Sequence, residues 1–197
     1  MGRSTIINAS ATAGYGDEGS MLQLSERIVY LAGEVNEMSI AHVTATLIAL
    51  ANQDKTSPIK LIVSTYGGSV DEMFSLYDVM KYVPCPVHTI AIGKVMSAGV
   101  LLVAAGSKGN RLIGKSTRIM VHPISAGMEG TVFTMENEMA ETRRMQQLME
   151  ELLLAETKMS KAQLQAIMKK GHDTYLTAKE AVKLGIVDAI FEPREKK

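Results

Sequence analysis

The chain has 197 residues, 46% of them hydrophobic, which suits one domain with a substantial core. Its 21 Lys and Arg balance 21 Asp and Glu, which argues against a dedicated nucleic-acid binder. One cysteine, Cys85, rules out an intramolecular disulfide and points to a reducing cytoplasm.

Residues 1–20 are polar and rich in Gly, Ala and Ser, with no apolar core of signal-peptide length. They are expected to form a flexible arm, and 21–197 a single domain without linker or internal repeat. "RIVYLAG" (27–33) reads as a strand, and "SIAHVTATLIALANQD" (39–54) has helical periodicity. "IKLIVST" (59–65) is a nearly continuous β-type run, expected to be a strand buried on both faces. After the pair Gly67-Gly68, Ser69 and Glu72 form a capping-box pattern that starts a helix. "PVHTIAI" (86–92) is the next strand; Gly93 and Lys94 are expected to turn the chain, and a second helix starts near Ser97. The apolar stretch around Val100 to Ala105 is far too short to cross a membrane. "STRIMVH" (116–122) is another β-type run.

From about Val132 the texture changes to one long helix, 132–157, without glycine or proline. Its apolar positions, near Met135, Met139, Met149, Leu152 and Leu153, suit either a helix that projects onto another subunit or an ordinary core helix. Capping boxes at Ser160/Gln163 and Thr177/Glu180 open two shorter helices, stopped at Gly171 and Gly185. "IVDAIFE" (186–192) is a last short strand. Strands alternating with helices across short connections indicate an α/β fold with a mainly parallel sheet. The 14 methionines fit a Met-rich core better than an adaptable binding surface.

Sites in such sheets gather where strands end and helices begin, here at Gly67-Gly68 and at Ser97-Ala98-Gly99. The histidines, His42, His88, His122 and His172, have no metal-ligand spacing, so no metal is expected. Neither "GYGDEG" (14–19) nor "AAGSKGNRLIGKS" (104–116) reads as a phosphate loop, because Gly114-Lys115-Ser116 precedes a strand-like run and not a helix. Ser97 fits nucleophilic catalysis better. A serine at a strand-to-helix turn is held by the backbone, and the helix N-terminus supplies N–H donors for a developing oxyanion. His122 is the candidate base and Asp173 the candidate orienting carboxylate, with Asp188 and Asp78 as rivals that spacing leaves open.

"GKVMSAGVLLVAAGSKGNRLIGKSTRIMVHP" (93–123) resembles ClpP, the proteolytic-subunit family of the Clp protease. Its features there are Ser97, Ala105-Gly106, Arg111 and Arg118-Ile-Met-Val-His122. "ERIVYLAGEV", "STYGGSV" and "DTYLTAKEAVKLGIVDAI" (173–190) extend the resemblance over roughly 21–191. The resemblance implies a ClpP/crotonase-like α/β fold with a projecting handle helix. It implies a serine endopeptidase with the triad Ser97, His122 and Asp173, and an oxyanion hole from the backbone N–H groups of Gly68 and Ala98. Glycine at 68 is then expected because the backbone must approach substrate.

The resemblance further implies two stacked heptameric rings of this chain and unfolded polypeptide substrates fed by a hexameric AAA+ ATPase. The ATPase, and not this chain, would use ATP; no cofactor, nucleic acid or membrane partner is expected, and the N-terminal arm would line the axial pore. Four features depart from the family pattern: Tyr66 for the proline before the glycine pair, Ala98 after the serine, Pro123 directly after His122, and "ISAGMEG" (124–130) in the segment before the handle. They point to a divergent secondary or phage-encoded copy. Alternative readings are a non-catalytic or regulatory ring subunit, a crotonase-like acyl-CoA enzyme and a capsid-maturation protease.

Overall fold

The computed structural model describes residues 24–191. The expected arm at 1–20, with "GYGDEG", lies outside the described residues. In chain order the elements are β1 (Ile28–Val35), α1 (Glu37–Gln53), β2 (Ile59–Gly68), α2 (Val70–Tyr82), β3 (Val87–Met96), α3 (Ala98–Ala104), β4 (Arg111–Ile113) and β5 (Arg118–Val121). Then follow α4 (Val132–Glu156), α5 (Lys161–Met168), β6 (Thr174–Leu176), α6 (Ala178–Lys183) and β7 (Ala189–Ile190). The sheet runs β1-β2-β3-β4-β7 with parallel neighbours. β5 also pairs parallel with β3, and β6 pairs antiparallel with β5. This is the α/β architecture with a mostly parallel sheet.

β2 is not buried on both faces as its composition led us to expect. Ile59, Leu61, Val63 and Thr65 are buried, whereas Lys60 and Tyr66 are exposed and Ile62 and Ser64 half-buried. The helices cover the face that carries the odd-numbered side chains, so β-branched residues on the other face report strand propensity rather than burial. Gly93 and Lys94 do not turn the chain; they lie inside β3. The register against β2 moves from Val63↔Ala91 to Thr65↔Val95, a bulge that Gly93 accommodates at φ +61°. At this bulge β3 changes neighbour. Thr89–Ala91 pair with β4, and Lys94–Met96 pair with β5.

All seven residues of α3 are buried, which explains its uniformly apolar sequence. Ser160 and Thr177 form the expected reciprocal capping boxes, and the Ser69 hydroxyl accepts the Glu72 N–H. Methionine serves mostly the interior: Met73, Met80, Met96, Met120, Met149, Met159 and Met168 are buried. Cys85 is a free, buried thiol. Among the described residues no helix is long and apolar enough to cross a membrane.

The long helix α4 is anchored at one end only. Met149, Leu153 and Glu156 are its buried residues, while Val132, Phe133 and Met139 are exposed. It therefore projects. Its base is held by a charged cluster in which the Glu156 carboxylate meets Lys81 Nζ at 2.6 Å, Lys108 Nζ at 2.9 Å and the Tyr77 hydroxyl at 3.0 Å. Burial pushes the Glu156 carboxyl up, but the bonds from Lys81 and Lys108 outweigh it and hold the group below its ordinary range. Beside this cluster, fully buried Arg111 grips Asp188 through two side-chain bonds of 2.9 and 2.6 Å. It also donates to the carbonyls of Ala104 and Glu156, tying β4 to the ends of α3 and α4.

Candidate active site

The strand registers bring the site together. Met96 pairs with Met120, so Ser97 leaves β3 beside the end of β5, where His122 follows Val121. Val121 pairs with Thr174 in the antiparallel β5–β6 ladder, so the next step sets His122 against Asp173. The second contact depends on β6, a three-residue strand too short to give a periodic signal.

Ser97 is the N-cap residue of α3, yet its side chain makes no capping bond. Its backbone has φ 53° and ψ −123°, a conformation that costs a non-glycine residue on the order of 1–3 kcal/mol. The strain is held by Ser97 N–H donating to Met120 O at 2.9 Å and Ser97 O accepting from Val100 N at 3.0 Å. The strained turn aims the hydroxyl away from its own helix. Ser97 Oγ and His122 Nε2 are hydrogen-bonded at 2.7 Å.

The other imidazole nitrogen, Nδ1, stands 3.6 Å from Asp173 Oδ1. That is an ion-pair distance, longer than a hydrogen bond. An ionised carboxylate only accepts, so the tautomer with the proton on Nδ1 suits both neighbours and leaves Nε2 free to take the serine proton. Asp173 is 45% exposed, and its second oxygen accepts from the Tyr175 hydroxyl at 3.1 Å. The rival carboxylates stand elsewhere. Asp188 is engaged by Arg111, whose hydrogen bonds hold its carboxyl below the ordinary range, and Asp78 is exposed on α2.

Gly68, Ala98, Ser97 and His122 line one small cavity of about 40 Å³, together with Val70, Met73, Ile124, Ser125 and Met149. The two residues expected to supply N–H donors, Gly68 and Ala98, thus border the hollow that holds the serine. Packing supplies a reason for glycine at 68 beside the expected one. A Cβ there would run into the Val35 carbonyl of β1, and φ is +148°, so packing already demands glycine. Gly67 is the glycine that lies against Ser97. A Cβ on it would lie 2.6 Å from Ser97 Cβ and 3.2 Å from Ser97 Oγ. The glycine pair at 67–68 and the divergent stretch 124–130 stand out in the sequence, but nothing local shows that Gly67, Ile124 and Ser125 surround Ser97.

Residues 109–116, "GNRLIGKS", do carry the spacing of a phosphate loop. Their middle is strand β4, the Gly114 N–H is spent on Ala91 O, and β5 follows instead of a helix. The oriented N–H groups that would cradle a phosphate are not formed there.

Comparison with known proteins shows which family the chain is similar to. The family model described as Clp protease matches residues 17–194. The ATP-dependent Clp protease proteolytic subunit 1 of Corynebacterium glutamicum is 35% identical over 173 residues, covering 87% of this chain and 82% of that protein. Proteolytic subunit 2 of Corynebacterium jeikeium is 35% identical over 171 residues, covering 86% and 81%. Proteolytic subunit 1 of Rhodococcus jostii is 35% identical over 173 residues, covering 86% and 77%.

Proposed function

The chain belongs to the Clp protease family, and from that premise we propose that Ser97, His122 and Asp173 are the catalytic triad of its serine endopeptidase activity. The observation that carries the assignment is the 2.7 Å bond from a strained, uncapped serine to His122. Ser97 Oγ attacks the scissile carbonyl as its proton passes to His122 Nε2. Asp173 stabilises the imidazolium that forms. The tetrahedral oxyanion lies against the backbone N–H groups of Gly68 and Ala98, at the N-terminus of α3. His122 then delivers the proton to the leaving amine. The Ser97–peptide ester that remains is hydrolysed by water in the reverse sense, with His122 again as base.

On this reading the subunit works in a closed chamber of two stacked heptameric rings, with α4 reaching across to the opposite ring. Support comes from the exposed apolar residues on the outer half of α4, Val132, Phe133 and Met139. Unfolded polypeptides enter from a hexameric AAA+ ATPase; the relatives' names include the words ATP-dependent. The chain itself binds no cofactor, and its place is the cytoplasm.

The test is the purified protein in native mass measurement, together with digestion of an unfolded protein with and without a Clp ATPase. A particle of about fourteen subunits that degrades the substrate to short peptides only when ATPase and ATP are present is the expected result. A monomer or dimer with no ATPase-dependent digestion would remove the chamber reading.

A further inference from the structure

His122 is followed by Pro123, which has no N–H to give. The next backbone donor is Ile124, beyond the last β5–β6 pair at Val121↔Thr174. Its N–H donates at 2.7 Å to Gln146 Oε1 on α4. The same side chain, through Nε2, donates at 2.7 Å to Glu150 Oε1 one turn further along the helix. A carboxylate accepts only, so Glu150 dictates which way the amide faces and presents the Gln146 oxygen to Ile124. Both bonds are partly buried, where water competes less for the donors.

Ile124 and Ser125 are walls of the cavity that contains Ser97 and His122. On its other side Ile124 borders a groove of about 500 Å³ between α4 and α5, together with Met139, Gln146 and Met168. The segment is thus a partition with a hollow on each side. Ile124 packs partly buried against the hydrophobic core, and the bond it donates to Gln146 ties it to the part of α4 anchored by Met149 and Leu153.

We propose that Gln146, oriented by Glu150, is a positioning residue for the peptidase: it holds the Ile124–Ser125 wall where a peptide can be seated against Ser97. The inference rests on the peptidase reading above. A hydrogen bond of this kind contributes about 1 kcal/mol, so its loss is expected to change peptide binding about fivefold.

The test uses the assembled full-length protein and two variants. Gln146→Met keeps the length of the side chain without the amide. The double change Gln146→Glu/Glu150→Gln keeps an acceptor for Ile124 and reverses the bond between the helix positions. Amide hydrogen exchange over 121–128 and kcat and KM on a fluorogenic peptide are measured for each. Gln146→Met is expected to speed exchange at Ile124 and raise KM, each about fivefold, with kcat moved by less than about twofold; the double change restores both. Unchanged exchange at Ile124, a loss carried by kcat at constant KM, or a double change that restores neither would each overturn the proposal. Gln146→Ala serves as the second single variant if Gln146→Met does not assemble. A wild-type protein that cleaves no peptide would sink the peptidase reading instead, and the exchange data would still decide whether Gln146 holds the wall.

Discussion

Replacing Asp173 by Asn removes one charge from the site while keeping its size. The carboxylate lies 3.6 Å from His122 Nδ1, and the two side chains are 45% and 23% exposed. Coulomb's law at this separation gives about 5 kcal/mol for an effective dielectric of 20 and about 2 kcal/mol for 40, the range suited to a half-exposed pair. That attraction exists only when the imidazole is charged, as it is in the transition state. The substitution is therefore expected to lower kcat by about 50- to 2,000-fold. The amide also offers an N–H toward Nδ1, which favours the wrong tautomer and moves the loss toward the upper end. Asp173 does not line the cavity beside Ser97, so KM is expected to change by less than about threefold. Steady-state hydrolysis of a fluorogenic peptide by assembled Asp173→Asn protein measures both constants. A kcat within threefold of wild type would refute the role given to Asp173, and a pure KM effect would refute the reasoning that separates it from the binding wall.

Other substitutions probe the frame around the site. Gly67→Ala places a methyl group 2.6 Å from Ser97 Cβ at φ +102°, and is expected to slow peptide hydrolysis by at least about 100-fold by displacing the nucleophile; a rate within threefold of wild type would contradict that contact. Arg111→Met removes both guanidinium bonds to Asp188 and those to the Ala104 and Glu156 carbonyls, leaving Asp188 the backbone N–H of residue 111 and the Glu156 carbonyl Lys108 Nζ. The expected cost is about 3 kcal/mol, at the low end for a broken buried pair because Asp188 is 20% exposed and can hydrate; thermal unfolding checks it, and an unchanged midpoint would count against the network. The carboxyls of Glu156 and Asp188 are both held below their ordinary values of 4.5 and 3.8. Their stabilisation is present above those values and lost as pH falls through the lower folded-state values, so unfolding scans are expected to show a midpoint that drops below about pH 4. Glu156→Gln should flatten part of that drop, and an identical acid profile would show that the cluster contributes nothing.

The sequence made the larger elements readable because their signals are local. The amphipathic period of α1 and the capping residues Ser69, Ser160 and Thr177 each act within a few residues of themselves. The extent of β3 was misjudged because Gly93-Lys94 looks the same in a turn and in a bulge; only the change of partner from β4 to β5 distinguishes them. Ser97 and His122 were identified by the resemblance, whereas spacing alone left three carboxylates in play. Two long-range facts separate them: the antiparallel register that sets Asp173 beside His122, and the grip of Arg111 on Asp188. The contact of Gly67 with Ser97 and the bond that Gln146 accepts were unreadable for the same reason. A glycine's missing Cβ and a glutamine's amide acquire meaning only when a distant segment, here Ser97 or Ile124, arrives next to them.

The central claim, that Ser97 is the activated nucleophile, is tested most directly by mapping a fluorophosphonate adduct on the assembled protein by peptide mass spectrometry. Ser125 lines the same cavity and is the internal control. The account predicts one adduct, on Ser97, abolished by Ser97→Ala and slowed by replacing His122, with Ser125 unmodified. An adduct on Ser125, or no adduct on a protein that is folded and assembled, would contradict it.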